Sequence, residues 1–135
     1  MSLTPAQSGR TIYLEFYYRH LGIAMAKARN EALKGALDLL ILKTLDRRGP
    51  LHGYGIATQI EQVSAEALRV EEGSLYPALH RLESTGWISA EWKTSENKRR
   101  ARYYALTKVG RKHLAQEEEM WRQLTSAIGR VLRYV

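Results

Sequence analysis

The sequence predicts a mostly α chain with a small β-hairpin (α+β): a winged helix-turn-helix, a long C-terminal helix and an N-terminal helical extension. Three observations carry that prediction. Apolar residues recur at helical spacing in five stretches between Arg10 and Arg133. Two short segments, Ile88–Trp92 and Ala101–Leu106, alternate apolar and polar residues as strands of a hairpin do. A cluster of cations, Lys98, Arg99, Arg100 and Arg102, falls at the junction of those two segments.

Met1 to Gly9 is small and polar and reads as a flexible lead without function. From Arg10 to Asn30 a strand-like alternation of Ile12, Leu14, Phe16 and Tyr18 competes with a longer helical spacing through Leu14, Tyr18, Leu21, Met25 and Ala28. The longer pattern favours a helix. Its aromatics, Tyr13, Phe16, Tyr17 and Tyr18, are expected to pack against the tail or a second subunit, because a large exposed apolar patch is costly. Glu31 to Arg48 places Leu33, Ala36, Leu37, Leu40, Ile41, Thr44 and Leu45 on one face, and Gly49-Pro50 stops it. His52-Gly53 opens the next helix, in which Tyr54, Ala57, Ile60 and Val63 can face inward, ending near Ser64.

The run from Glu71 to Trp87 is the stretch the rest is built around. Gly73 and Ser74 are N-cap types, Pro77 suits a first turn, and Gly86 is a C-terminal stop. At about 100° per residue, Leu75, Ala78, Leu79 and Leu82 gather on one side and Tyr76, Pro77, His80, Arg81 and Ser84 on the other. The displayed set offers a guanidinium, an imidazole, a phenol and a hydroxyl, which suit base edges and phosphates. An ordinary solvated helix face would look similar. The cations directly behind it, on a long basic loop between two strands, are what turn the reading toward a recognition helix with its wing.

Thr107 is placed to cap a last helix running to about Arg133, on the order of 40 Å long. Leu114, Trp121 and Ile128 recur every seven residues, with Leu124 and Val131 between and beyond, a seam interrupted by Glu117. Such a seam meets another helix, either the N-terminal one or a symmetry mate, and a twofold would match the symmetry of DNA half-sites. The expected organisation is therefore an extension at 1–30, a winged helix-turn-helix at 31–107 and a dimerisation helix at 108–135.

Composition narrows the function classes. The 135 residues are 44% hydrophobic, enough for one modest core, and carry a net charge of +7 with a pI near 9.8. That excess favours a polyanion, nucleic acid before an anionic membrane. With no cysteine, disulfides and thiolate metal sites are excluded, and no apolar run approaches the roughly 18 residues of a membrane span. No signal-peptide pattern is present either, so a soluble cytoplasmic protein is expected. The four histidines, His20, His52, His80 and His113, pair with no carboxylate in a recognisable motif, and there is no phosphate loop or metal-ligand cluster. No enzyme, metal or cofactor is expected. The runner-up is a winged-helix protein-interaction module without sequence-specific DNA binding, which has no need of three consecutive cations on its wing.

Four segments, ALKGALDLLILKTL, GPLHGYGIATQI, EEGSLYPALHRLESTGWI and RRARYYALTKVGRKHL, resemble the PadR family of bacterial transcriptional regulators, in order and with matching spacing from about Leu33 to the end. The resemblance implies winged-helix homodimers, usually repressors, that dimerise through the C-terminal helix. It places Ser74, Tyr76, Pro77 and His80 at the DNA-facing end of the recognition helix, Lys98 to Arg102 on the wing, and Tyr54 near the DNA backbone. Some family members bind flat aromatic effectors between subunits, and Trp121 resembles a tryptophan that can line such a cavity; a packing role at the seam is the favoured reading of Trp121. The segment Arg10–Asn30 lies outside these motifs.

Overall fold

The computed structural model of the chain describes residues 12–21, 33 and 35–134. The readings made for residues 1–9, for Met25 and Ala28, and for a helix start at Glu31 lie outside them. Five helices and one sheet are formed among the described residues: α1 (residues 12–21), α2 (Leu37–Arg48), β1 (Leu51–His52), α3 (Gly53–Val63), α4 (Glu72–Ser84), β2 (Ile88–Thr94), β3 (Arg100–Leu106) and α5 (Lys108–Arg133). The sheet is antiparallel in the order β1-β3-β2. Helices α2, α3 and α4 pack on one another and on the sheet, and Ile41, Leu42, Ile56, Leu75, Leu79, Leu82 and Ile88 are all but fully removed from solvent. Each such side chain contributes roughly 1.5–3 kcal/mol of burial.

α1 is helical as expected, but the expected packing does not occur within the chain: all of its residues are exposed. Its apolar residues, from Ile12 through Leu21, spread around most of the circumference, leaving no polar back and apolar front to dock by one side. α2 buries Leu37, Ile41, Leu42 and Leu45. Leu42, outside the expected stripe, is buried because α2 is contacted from several directions, by α3, α4, α5 and β3. Gly49, at φ 79°, ends the helix in a conformation costly for other residues.

β1 was not foreseen. Two residues, paired Leu51 with Tyr104 and His52 with Tyr103, are too few to show an alternation. His52 is also the N-cap of α3, its Nδ1 accepting from the Gly55 N–H at 2.9 Å. In α3 the inward residues are Gly53, Ile56 and Ile60, whereas Tyr54 and Val63, expected inside, lie exposed. The close approach at Gly53 sets that phase: a Cβ there would stand 3.1 Å from the Tyr76 ring, so the glycine edge of α3 must face α4.

α4 begins earlier than the cap signals suggested. Its first turn closes on the Glu71 carbonyl, which accepts from Ser74 and Leu75 at 3.0 and 2.9 Å. Gly73 and Ser74 therefore lie inside the helix, and Pro77 is its sixth residue rather than a first-turn one. The C-terminal stop is as expected. Gly86, at φ 81°, lets its own N–H reach the Glu83 carbonyl (3.0 Å) and the Trp87 N–H reach that of Leu82 (3.1 Å), a Schellman closure.

The hairpin is longer and its loop shorter than predicted. Pairing runs from Ile88 opposite Leu106 to Thr94 opposite Arg100, so Lys93, Thr94 and Arg100 belong to strands and only residues 95–99 form the turn. Polar residues on both faces near the tip hide that extension from an alternation test. α5 is capped by Thr107, whose hydroxyl accepts from the Gly110 N–H at 3.0 Å. Its first half is fastened to the body by Lys43–Glu118 at 2.8 Å, by Arg111–Asp46 at 3.6 Å, and by the His113 ring stacked on Trp87. Leu114, expected on a dimer seam, instead lies 3% exposed in the chain's own core, because α2 packs on this half of α5.

Candidate nucleic-acid interface

α4 buries Leu75, Ala78, Leu79 and Leu82, the four residues the periodicity selected, and so holds the opposite arc outward. Around that arc, at about 100° per residue, Tyr76 lies toward the hairpin, His80 and Pro77 stand at the centre, and Arg81 and Ser74 lie toward α2. Tyr76, Pro77, His80 and Arg81 are exposed and Ser74 is half-buried. Arg81 is not a free cation: its Nη2 donates to Asp38 of α2 at 2.6 Å. With Ser74 it borders a hollow of about 290 Å³ floored by Leu37 and Ala78.

The wing separates its cations into two kinds. Lys98, Arg99 and Arg100 stand exposed at the tip, and among the described residues none of them has an ion-pair partner. The Arg100 guanidinium lies over the Trp92 ring, 5.6 Å from its centroid, which holds it on the strand face without using its donors. Arg102 is spent differently. It donates to Glu83 near the end of α4 and ties the hairpin to the helix, while its Nε is buried without a partner.

Between the first turn of α3, Tyr76 of α4 and the hairpin lies an open cleft of about 400 Å³. Tyr54, 75% exposed, and Trp92 stand at its walls with Arg99 and Arg100, and no carboxylate is among the residues lining it. Tyr104 is part of that lining at 7% exposure. Burial raises the Tyr104 phenol above its ordinary value; the Arg102 charge pulls it down and Glu83 pushes it up again. The phenol therefore stays protonated at neutral pH and is available as a donor.

Of the residues the sequence marked for DNA, Tyr54, Tyr76, Arg99, Arg100 and Arg102 come together around this cleft. Lys98 extends beyond it at the tip, at φ 58° in the turn, and Pro77 and His80 face outward beside it. Ser74 and Arg81 fall on the far flank. The sequence reading did not single out Trp92 and Tyr104, which line the cleft, or Glu83, which anchors Arg102. Trp92 and Tyr104 showed only as in-phase strand residues, and nothing in the pattern marks where a sheet face leaves the core.

Beyond Leu114, the α5 seam is only partly covered in a single chain. Trp121 is half-buried, while Leu124, Ile128 and Val131 are exposed within about 90° of it on one stripe. Among the described residues there is no group of three or more His, Cys, Asp or Glu side chains able to hold a metal, and no helix long and apolar enough to cross a membrane.

A sequence profile described as "Transcriptional regulator PadR-like family" matches residues 41–116. Over 68 residues the chain is 32% identical to "Transcriptional regulator Rv3488" of Mycobacterium tuberculosis, covering 50% of this chain and 63% of that one. It is 41% identical over 80 residues to an uncharacterized 37.1 kDa protein in transposon TN4556 of Streptomyces fradiae, covering 59% of this chain and 21% of that protein. The chain thus spans less than two thirds of either relative. Among solved structures, a PadR family transcriptional regulator from Eggerthella lenta superposes with a TM-score of 0.66 at 27% identity, covering 90% of this chain and 99% of the other.

Proposed function

The chain belongs to the PadR-like family of transcriptional regulators, and from that premise we propose that it binds operator DNA as a homodimeric repressor. In this reading the winged helix at 31–107 carries the DNA contacts and the tail at 108–135 the dimer contacts. α4 enters a major groove with Tyr76, Pro77 and His80 toward the base edges, and Ser74 and Arg81 reach the flanking strand. Lys98, Arg99 and Arg100 neutralise phosphates, and Tyr54 meets the backbone beside them. Arg102 serves by holding the wing against α4. The distal seam, Trp121, Leu124, Ile128 and Val131, joins two copies about a twofold, which sets two α4 helices roughly one helical turn apart on an inverted repeat.

The observation that supports this reading is the outward α4 arc lying directly beside a tip of three cations that have no ion-pair partner among the described residues, with no carboxylate lining the cleft between them. A solvated surface has no need to keep acids out. The test is selection of genomic fragments by purified protein, followed by footprinting. Two protected half-sites centred about 10 base pairs or a multiple apart are expected. Binding of every fragment alike, with no protected repeat, overturns the proposal.

A further inference from the structure

A winged helix that reads one major groove and clamps the neighbouring minor groove has one sugar-phosphate strand running between its helix and its wing. In this chain that path is the cleft between Tyr76 and the hairpin. The cleft has cationic walls, from Arg99 and Arg100, and flat apolar walls, from Tyr54 and Trp92, as a strand of alternating phosphate and sugar requires.

Its floor carries the Tyr104 phenol. Tyr104 is more than nine-tenths buried, and among the described residues its hydroxyl has no hydrogen-bond partner. The hydroxyl is nevertheless not sealed from solvent, since the one buried side-chain polar atom left unpartnered is Arg102 Nε. Tyr104 lines the cleft, beside Tyr76 and the Arg102–Glu83 pair. A hydroxyl with no partner in the protein, reached by water through the cleft, can exchange that water for an acceptor on a ligand seated there.

We propose that Tyr104 is a DNA-contacting residue, its hydroxyl donating to a single backbone phosphate seated in the cleft between α4 and the wing. This assignment rests on the DNA-binding reading and adds to it a neutral, buried contact that fixes how deeply the strand sits. A hydroxyl releases no counterion when it meets a phosphate, whereas an arginine does. The two kinds of contact are therefore separable by salt.

The experiment is anisotropy titration of the full chain, wild type and Tyr104→Phe, on a random-sequence duplex and on the best selected fragment at several salt concentrations. Tyr104→Phe is expected to melt as the wild type does, because the hydroxyl it removes bonds nothing within the protein. It should weaken binding to both duplexes by about tenfold, as loss of a hydrogen bond to a charged group does, with the slope of log K against log salt unchanged. Arg100→Ala should lower that slope by about 0.9. On the selected fragment, a methylphosphonate placed at each linkage in turn should weaken the wild type at one linkage per half-site, and the Phe variant should show little further loss there. Wild-type affinity in Tyr104→Phe, or a changed salt slope, overturns the assignment and leaves the DNA reading standing. A wild type that binds neither duplex overturns both.

Discussion

Replacing Gly110 by alanine gives the sharpest structural prediction, because two effects of opposite sign meet there and their sizes decide the outcome. In a helix interior, glycine to alanine ordinarily stabilises by about 1 kcal/mol. At Gly110 the added Cβ would lie 1.9 Å from the Trp87 carbonyl oxygen, 2.8 Å from its carbon and 2.9 Å from the Leu106 side chain. The oxygen is backbone and already accepts from the Thr107 N–H at 3.1 Å, so it cannot swing aside. α5 must instead retreat by more than 1 Å, loosening the Thr107 cap and the burial of Leu114. Overpacking costs about 1–3 kcal/mol and a weakened cap about 1 more, so once the helix-propensity gain is subtracted the net loss is about 1–3 kcal/mol. For a domain of this size that is a fall in Tm on the order of 10 °C. Circular dichroism melts of Gly110→Ala beside Gly73→Ala check it, since Gly73 lies in α4 with open space where its Cβ would go. Gly73→Ala should melt at or above the wild type. A Gly110→Ala variant that does the same refutes the close docking of α5 on the Trp87 turn.

Three further outcomes follow from the interface and the tail. Tyr76→Ala should chiefly relax sequence preference, and Arg100→Ala should weaken cognate and scrambled DNA alike; competition titrations that show the same profile for both variants would contradict that division. Ile128→Glu, on a stripe 48% exposed at that residue in the single chain, should shift sedimentation to the monomer with little change in the melt and weaken operator binding at least tenfold through lost pairing of half-sites. The Glu118 carboxyl is held below its ordinary value, chiefly by its hydrogen bond with Lys43. A depressed carboxyl contributes stability above its unfolded pKa and loses it as the pH falls through the folded one. Lys43→Met should thus lie below the wild type in stability by under about 1 kcal/mol near neutral pH and converge with it as the pH falls through the lowered Glu118 pKa, which urea melts from neutral to acidic pH would measure.

Much of this fold was legible in the chain because burial follows helical period. Leu75, Ala78, Leu79 and Leu82 are buried as their spacing required, Gly86 and Thr107 work as stop and cap, and the two strands pair in the expected hairpin. What escaped the pattern was set by contacts between elements. The phase of α3 is fixed by Gly53 meeting the Tyr76 ring, which turns Tyr54 out to the cleft. β1 exists only because β3 offers it an edge. Leu114 has seam spacing but is covered by α2, so the apolar repeat of α5 serves two surfaces in succession. The site was legible as a list of residue types and less so as an arrangement. That Arg81 and Arg102 answer carboxylates, while Lys98, Arg99 and Arg100 do not, depends on Asp38 and Glu83 reaching them across the fold, 43 and 19 residues away in the chain.

Whether α4 and its wing read a sequence is decided by one titration. The wild-type chain is titrated against the best footprinted repeat and against the same bases scrambled, by anisotropy at one fixed salt concentration. Binding to the repeat is expected to be tighter by at least about a thousandfold. Equal affinity for the two, falling together as salt rises, would show that the wing only clamps phosphates and would contradict recognition of a sequence.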